Sequence, residues 1–184
     1  MRIMVIGYSG SGKSTLAKLL AKHEALPLLY IDTLQFEANW VQRKVEDRNQ
    51  DLLDFINTHE QWVIDGNYQG AFFDLRVSLA DQIYILNYHR MTCLLNAIKR
   101  RFIYRNKSRE SITNNCPEKI DWEFFIWLIY KGRSIKRKNL YKSLKNNYPN
   151  KVLIFNNRRR LNQYLLRKHI ISSTKDWKLN HESL

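Results

Sequence analysis

Short apolar runs alternate with longer amphipathic stretches along this chain. Five runs are rich in Val, Ile, Leu or Tyr and too short for a stable helix: Arg2–Ile6, Pro27–Ile31, Gln61–Ile64, Gln82–Leu86 and Lys151–Phe155. Their near-continuous apolarity predicts strands covered on both faces, as in a parallel sheet. Between them, helical spacing of apolar positions predicts helices over Lys13–Glu24, Val45–His59, Arg90–Tyr104, Asp121–Asn147 and Arg158–Lys168, the fourth broken near Gly132. This alternation is that of βαβ units, so the expected class is α/β. Two connections exceed the few residues usual in compact domains, Asp32–Lys44 and Arg105–Ile120; the second is polar and basic and reads as a lid. Trp122, Phe124, Phe125, Trp127 and Tyr130 make their predicted helix apolar over much of its circumference, which predicts burial or a partner helix.

Length changes the picture little: 184 residues suit one domain, expected over 1–171, followed by a polar tail over 172–184. The apolar start stops at Gly7, too short for a leader or a spanning helix, so no membrane is expected and the expected compartment is the cytoplasm. Cys93 and Cys116 lack metal-ligand spacing and read as reduced packing residues. Charge is the unusual feature. The net value is +14, yet residues 1–85 hold 8 Lys and Arg against 11 Asp and Glu, whereas residues 86–184 hold 23 against 6. The second half is therefore expected to face polyanions, either phosphorylated small molecules or a nucleic acid backbone.

The chemistry begins where the first strand ends. Gly7-Tyr8-Ser9-Gly10-Ser11-Gly12-Lys13-Ser14 matches the P-loop pattern at every fixed position, between a predicted strand and a predicted helix. Glycines let the backbone wrap closely around phosphate, so that the N–H groups of Gly7, Ser9, Gly10, Ser11 and Gly12 point inward as an anion nest. Lys13 is expected on the β and γ phosphates, Ser14 on Mg²⁺, and Thr15 as a supporting contact. The ligand this predicts is a purine nucleoside triphosphate, ATP with Mg²⁺.

Carboxylates at strand ends are the next candidates, because doubly wound sheets hold ligands there. Asp32 and Asp65 each follow an apolar run, and Gly66 permits close backbone approach beside Asp65. The fourth strand ends at Asn87, an amide that supplies no negative charge, so metal orientation falls to Asp32 or Asp65, through water. Arginines complete the set, since a planar guanidinium grips phosphate bidentately. Arg100, Arg101, Arg105 and Arg109 flank or occupy the lid, Arg133 and Arg137 share a helical face, and Arg76 stands in an uncharged stretch as a clamp for the phosphate acceptor.

Together these residues resemble the P-loop kinases related to adenylate kinase and shikimate kinase, most closely their bacterial branch named the DNA topology modulation proteins. The resemblance rests on the P-loop, Ile31-Asp32 with Leu34 and Trp40, Trp62-Val63-Ile64-Asp65-Gly66-Asn67-Tyr68, Arg76, Ala80-Asp81 and Cys116-Pro117-Glu118. It implies a three-layer αβα P-loop NTPase fold with a parallel five-stranded sheet in the order 2-3-1-4-5 and a small basic lid over about 105–120. It also implies that the acceptor enters between the Asp32–Lys44 connection and the strand ending at Asp65, so that with the arginines already named the expected acceptor residues are Asp32, Trp40, Asp65, Asn67, Arg76, Arg133 and Arg137. The expected function is an ATP-dependent phosphotransferase acting on a small acceptor, a nucleoside or nucleotide among the candidates. Lys13, Asp32, Asp65, Arg105 and Arg109 would be its catalytic residues, and Ser14 with Asp32 its metal contacts. The alternative, which the basic half favours, is a nucleotide-regulated DNA-binding protein with only slow ATP hydrolysis.

Overall fold

A computed structural model describes residues 1–103, 111–113, 126, 128 and 130–174. Its strands are β1 (Arg2–Gly7), β2 (Leu28–Tyr30), β3 (Trp62–Asp65), β4 (Gln82–Leu86) and β5 (Val152–Phe155), all parallel, in the order β2-β3-β1-β4-β5. The helices are α1 (Lys13–Glu24), α2 (Ile31–Gln35), α3 (Val45–Thr58), α4 (Phe73–Leu79), α5 (Arg90–Ile103), α6 (Ile135–Asn147) and α7 (Arg158–Arg167). Passing from β1 to β2 moves two places one way along the sheet, and passing from β2 to β3 moves back. Right-handed crossovers then carry α1 over one face and α3 over the other, which gives the three layers.

The central strand explains the continuous apolar runs. Ile3, Met4, Val5 and Ile6 of β1 are each at most 1% exposed, although neighbouring positions point to opposite faces. Burying each such side chain is worth about 1.5–3 kcal/mol, so β1 is a stiff base for the turn that leaves it. One apolar cluster extends from Ile3 to Ile171 and takes in α1 through Leu16, Leu19 and Leu20.

Two features differ from the sequence expectation and one expected feature is present. The Asp32–Lys44 connection is not open coil: it holds α2, a 3-10 turn at Ala38–Trp40 and a bridge between Phe36 and Gln42. Helix α4 arises where no element is expected, because Phe73, Arg76 and Val77 fall on one buried face and Phe72 enters it from a left-handed φ of 45°. The expected break near Gly132 is a 3-10 turn at Lys131–Arg133, after which α6 starts with Ser134 accepting from the Arg137 amide. Within 105–120 only 111–113 are described, and of the aromatic run Trp122, Phe124, Phe125 and Trp127 lie outside the described residues, as does Cys116. Among the described residues, no helix is long and apolar enough to cross a membrane.

Candidate functional site

The turn after β1 has the backbone that its glycines were expected to permit. Gly10 (φ 73°) and Gly12 (φ 87°) are left-handed, and Gly7 has a φ of 151°. A Cβ on Gly10 would stand 2.2 Å from the Cys93 carbonyl oxygen, and one on Gly7 would stand 2.5 Å from that of Leu86. The loop is thus wedged between β4 and α5 with no room for side chains at these points. Asn96 of α5 adds a bond from its amide to the Gly10 carbonyl at 2.9 Å. Helix α1 opens at Lys13 without a side-chain cap, so its first N–H groups face the turn as an anion-binding end. Lys13 Nζ donates to the Tyr8 carbonyl at 3.2 Å, which holds the ammonium over the same loop.

Beside it, Ser14 Oγ donates to Asp65 Oδ2 at 2.7 Å. The pairing follows from topology: β3 is the neighbour of β1, with Val5 opposite Asp65, so the strand ends bring this carboxylate to the start of α1. Asp65 is 6% exposed. A hydroxyl and a carboxylate at the mouth of a phosphate loop are a fitting donor set for Mg²⁺, which takes one or two protein oxygens and keeps water and phosphate for the rest. Of the two carboxylates expected to orient a metal through water, Asp32 and Asp65, Asp65 is the one that Ser14 bonds directly. Asn87 is no substitute for a missing carboxylate: its amide donates to Asn156 Oδ1 at 3.0 Å, bridging the ends of β4 and β5.

Asn67, expected at the acceptor, is a brace of the P-loop. Its Oδ1 accepts from the Gly7 amide at 3.0 Å and its Nδ2 donates to the Gly7 carbonyl. Both ends of the side chain are thereby used on one backbone residue. Tyr141 of α6 reaches the same Oδ1 at 3.5 Å and packs against Tyr8 with ring centroids 5.6 Å apart. Arg133, also expected at the acceptor, lies on the P-loop instead. Its guanidinium sits 3.9 Å from the Tyr8 ring centroid and donates to the Tyr88 carbonyl at 2.9 Å. The reason is that α6 packs on Tyr8 through Tyr141, bringing the turn before it to the loop. Arg137 donates to the Gly132 carbonyl at 3.1 Å, and its charge reaches Tyr8 and Tyr141. Burial raises the Tyr8 and Tyr141 phenols against that pull.

Asp32 stands at the start of α2, two residues past Tyr30, the strand partner of Asp65. Ile31 beside it fills the space over Gly66, where an added Cβ would come within 2.8 Å of its Cβ. The Tyr68 hydroxyl donates to Asp32; burial raises this phenol first, with the Asp32 charge and hydrogen bond next. Arg48 and Asp65 also act on Tyr68, so these four groups share one corner. Sequence reasoning missed Tyr68 and Arg48 as site residues. The available signal for Arg48 was its place one turn before Leu52 on the face of α3 that turns inward.

Arg76 is corrected from acceptor clamp to internal strut. It is 0% exposed and donates to the carbonyls of Ala71 (2.8 Å), Gly66 (3.1 Å) and Tyr68 (2.6 Å). Burial pushes its guanidinium down to about 10, with Arg48 adding to the effect, and it remains charged at neutral pH. Its task is to hold the loop that carries Asn67 and Tyr68. Trp40 packs edge-on against Phe36, 5.2 Å between centroids, on the connection that begins with Asp32. Arg105 and Arg109 lie outside the described residues.

A family profile described as an AAA domain, AAA_18, matches residues 3–123, which spans the P-loop, Asp32, Asp65 and Arg76. The chain belongs to this AAA domain family. No curated protein matches it in sequence. Among solved structures, this AAA domain chain is similar to deoxyadenosine kinase from M. mycoides with bound dATP, at 14% identity, covering 92% of this chain and 99% of that one, with a TM-score of 0.51. It is also similar to shikimate kinase from Bacteroides thetaiotaomicron (19% identity, 93% and 99% covered, TM-score 0.48) and to mouse sulfotransferase SULT7A1 complexed with PAP (13%, 99% and 63%, 0.48). Identities this low speak for fold alone, and the fold is that of P-loop NTPase kinases: a parallel sheet in the order 2-3-1-4-5 with flanking helices.

Proposed function

We propose that this chain is an ATP-dependent phosphotransferase that moves the γ-phosphoryl group of ATP to a small acceptor. The observation that carries the reading is the Ser14–Asp65 hydrogen bond at the mouth of a P-loop in which neither Gly7 nor Gly10 has room for a side chain. Phosphoryl transfer asks a protein mainly for positioning and for stabilisation of charge. The turn from Gly7 to Ser14 offers its amides to the phosphates. Lys13, held now by the Tyr8 carbonyl, exchanges that weak neutral partner for phosphate oxygens, a stronger charge-assisted one. Ser14 and Asp65 would hold Mg²⁺, which supplies charge neutralisation on the phosphate oxygens. Arg133 and Arg137 approach the donor end, where a guanidinium stabilises transferred charge. Asp32 faces the acceptor and takes its hydroxyl proton.

Phosphate transfer from ATP to a broad set of nucleosides, nucleotides, sugars and hydroxy acids tests the reading. Transfer to at least one acceptor is expected, with Lys13→Ala lowering it by about 100-fold or more. Absence of transfer to every acceptor, with basal ATP hydrolysis untouched by Lys13→Ala, removes the proposal.

A further inference from the structure

The basic second half has a cationic wall that the phosphate loop does not use. Residues 124–175 hold 14 Lys and Arg and no Asp or Glu, so nothing along that stretch neutralises the charge. Within it, Lys138, Lys142 and Lys145 fall on one face of α6 and line a cavity of about 480 Å³. Lys145 is tied back by bonds to the carbonyls of Pro149 at 2.9 Å and Val152 at 2.8 Å. Lys138 and Lys142 have no hydrogen bond or ion pair among the described residues, and like charges one turn apart work against the helix that carries them. The strand side of the cavity is formed by Asn87, Ile154 and Asn156, at the carboxyl ends of β4 and β5. The bond from Asn87 Nδ2 to Asn156 Oδ1 at 3.0 Å orients both amides and leaves the Asn156 Nδ2 hydrogens as donors.

We infer that this cavity binds a phosphate-bearing small molecule at a site separate from the P-loop. A lysine ammonium meets phosphate as a point charge with three rotatable donors, so Lys138 and Lys142 can share one phosphate dianion without a preset geometry. Asn156 supplies a neutral donor beside them, and Ile154 gives a carbon skeleton an apolar surface. The volume lies in the range of small-molecule sites, about 300–1,000 Å³, and a space between one helix and two strand ends suits a small ligand over the backbone of a duplex. An anion bound here also relieves the repulsion between the two lysines. The inference does not depend on the reaction proposed for the P-loop.

Tyr141 lines this cavity and also packs on Tyr8, so the test is run on the full chain with the P-loop filled by Mg²⁺ and a nonhydrolysable ATP analogue. Inorganic phosphate and ribose 5-phosphate are titrated while NMR follows the side-chain amides of Asn87 and Asn156. Saturable shifts at both amides are expected; a tighter ribose 5-phosphate marks an organic ligand, and equal affinities mark an inorganic one. Lys138→Gln combined with Lys142→Gln should weaken binding by at least about tenfold. Lys136→Gln combined with Lys168→Gln removes the same charge outside the cavity and should change it by less than about twofold. Equal weakening by the two pairs would reduce the site to a diffuse surface field and overturn the inference. Shifts that appear only when the ATP analogue is left out would assign the cavity to the nucleotide of the P-loop, with the same consequence. Saturation by a DNA oligonucleotide with no response to either small phosphate, or no saturable shift at all, also overturns it.

Discussion

Arg76 separates a structural from a chemical role, and Arg76→Met measures which it has. Methionine roughly conserves the length and volume of the side chain while removing its N–H groups, so the three carbonyls of Gly66, Tyr68 and Ala71 lose a charged donor. Hydrogen bonds to a charged group are worth about 1.5–3 kcal/mol each, which sets a gross loss of roughly 5–9 kcal/mol. Keeping a guanidinium at 0% exposure itself costs several kcal/mol, and its removal returns part of that. The net expectation is a loss of about 3–5 kcal/mol, a large share of the roughly 5–15 kcal/mol that holds a domain together. At about 2–4 °C per kcal/mol for a chain of this size, the melting midpoint should fall by about 6–20 °C. Calorimetry and circular dichroism melts of the purified variant read this directly. An acceptor clamp would behave oppositely, with the midpoint kept and KM for the acceptor raised. A midpoint within about 2 °C of the unsubstituted protein refutes the strut.

Asp65→Asn keeps the shape of the side chain but weakens the bond from Ser14; ATP titrated calorimetrically with Mg²⁺ should bind about 10-fold to 100-fold more weakly, and equal weakening without Mg²⁺ would argue against a metal role. Gly10→Ala meets both a φ of 73° and a carbonyl 2.2 Å away, so it should cost about 2 kcal/mol or more and impair ATP binding, and a variant that melts and binds normally would show the loop to be soft. Burial raises the phenols of Tyr8, Tyr68, Tyr84, Tyr88 and Tyr141 above the usual value near 10, so the unfolded chain releases these protons first. Stability is therefore complete below about pH 10 and falls as pH rises toward the folded-state values, and in an absorbance titration these rings should ionise only together with unfolding.

The parts of this protein that were legible in the sequence are those fixed by local sterics. Apolar runs and the glycine pattern specify β1 and its turn because Ile3 to Ile6 answer to complete burial and the glycines of the turn to their own backbone. Asn67, Asp65, Arg76 and Arg133 were legible as unusual residues but not by role, because each role depends on a partner far along the chain. Asn67 meets Gly7 only because Val5 pairs with Asp65, and two residues further on each strand the same register sets amide against loop. Once the order 2-3-1-4-5 is granted, that alignment gives both the Ser14–Asp65 bond and the Asn67 brace, so the information was present but needed the sheet first. Arg76 shows the opposite difficulty. Its uncharged surroundings suggested a clamp awaiting an anion, yet an arginine amid apolar residues on a short helix is equally one whose donors are consumed by nearby carbonyls. The resulting division follows the charge asymmetry. The neutral-to-acidic first half builds the loop, the Ser14–Asp65 pair and the corner around Tyr68, while the basic second half reaches the loop at Tyr8 through Arg133 and the charge of Arg137.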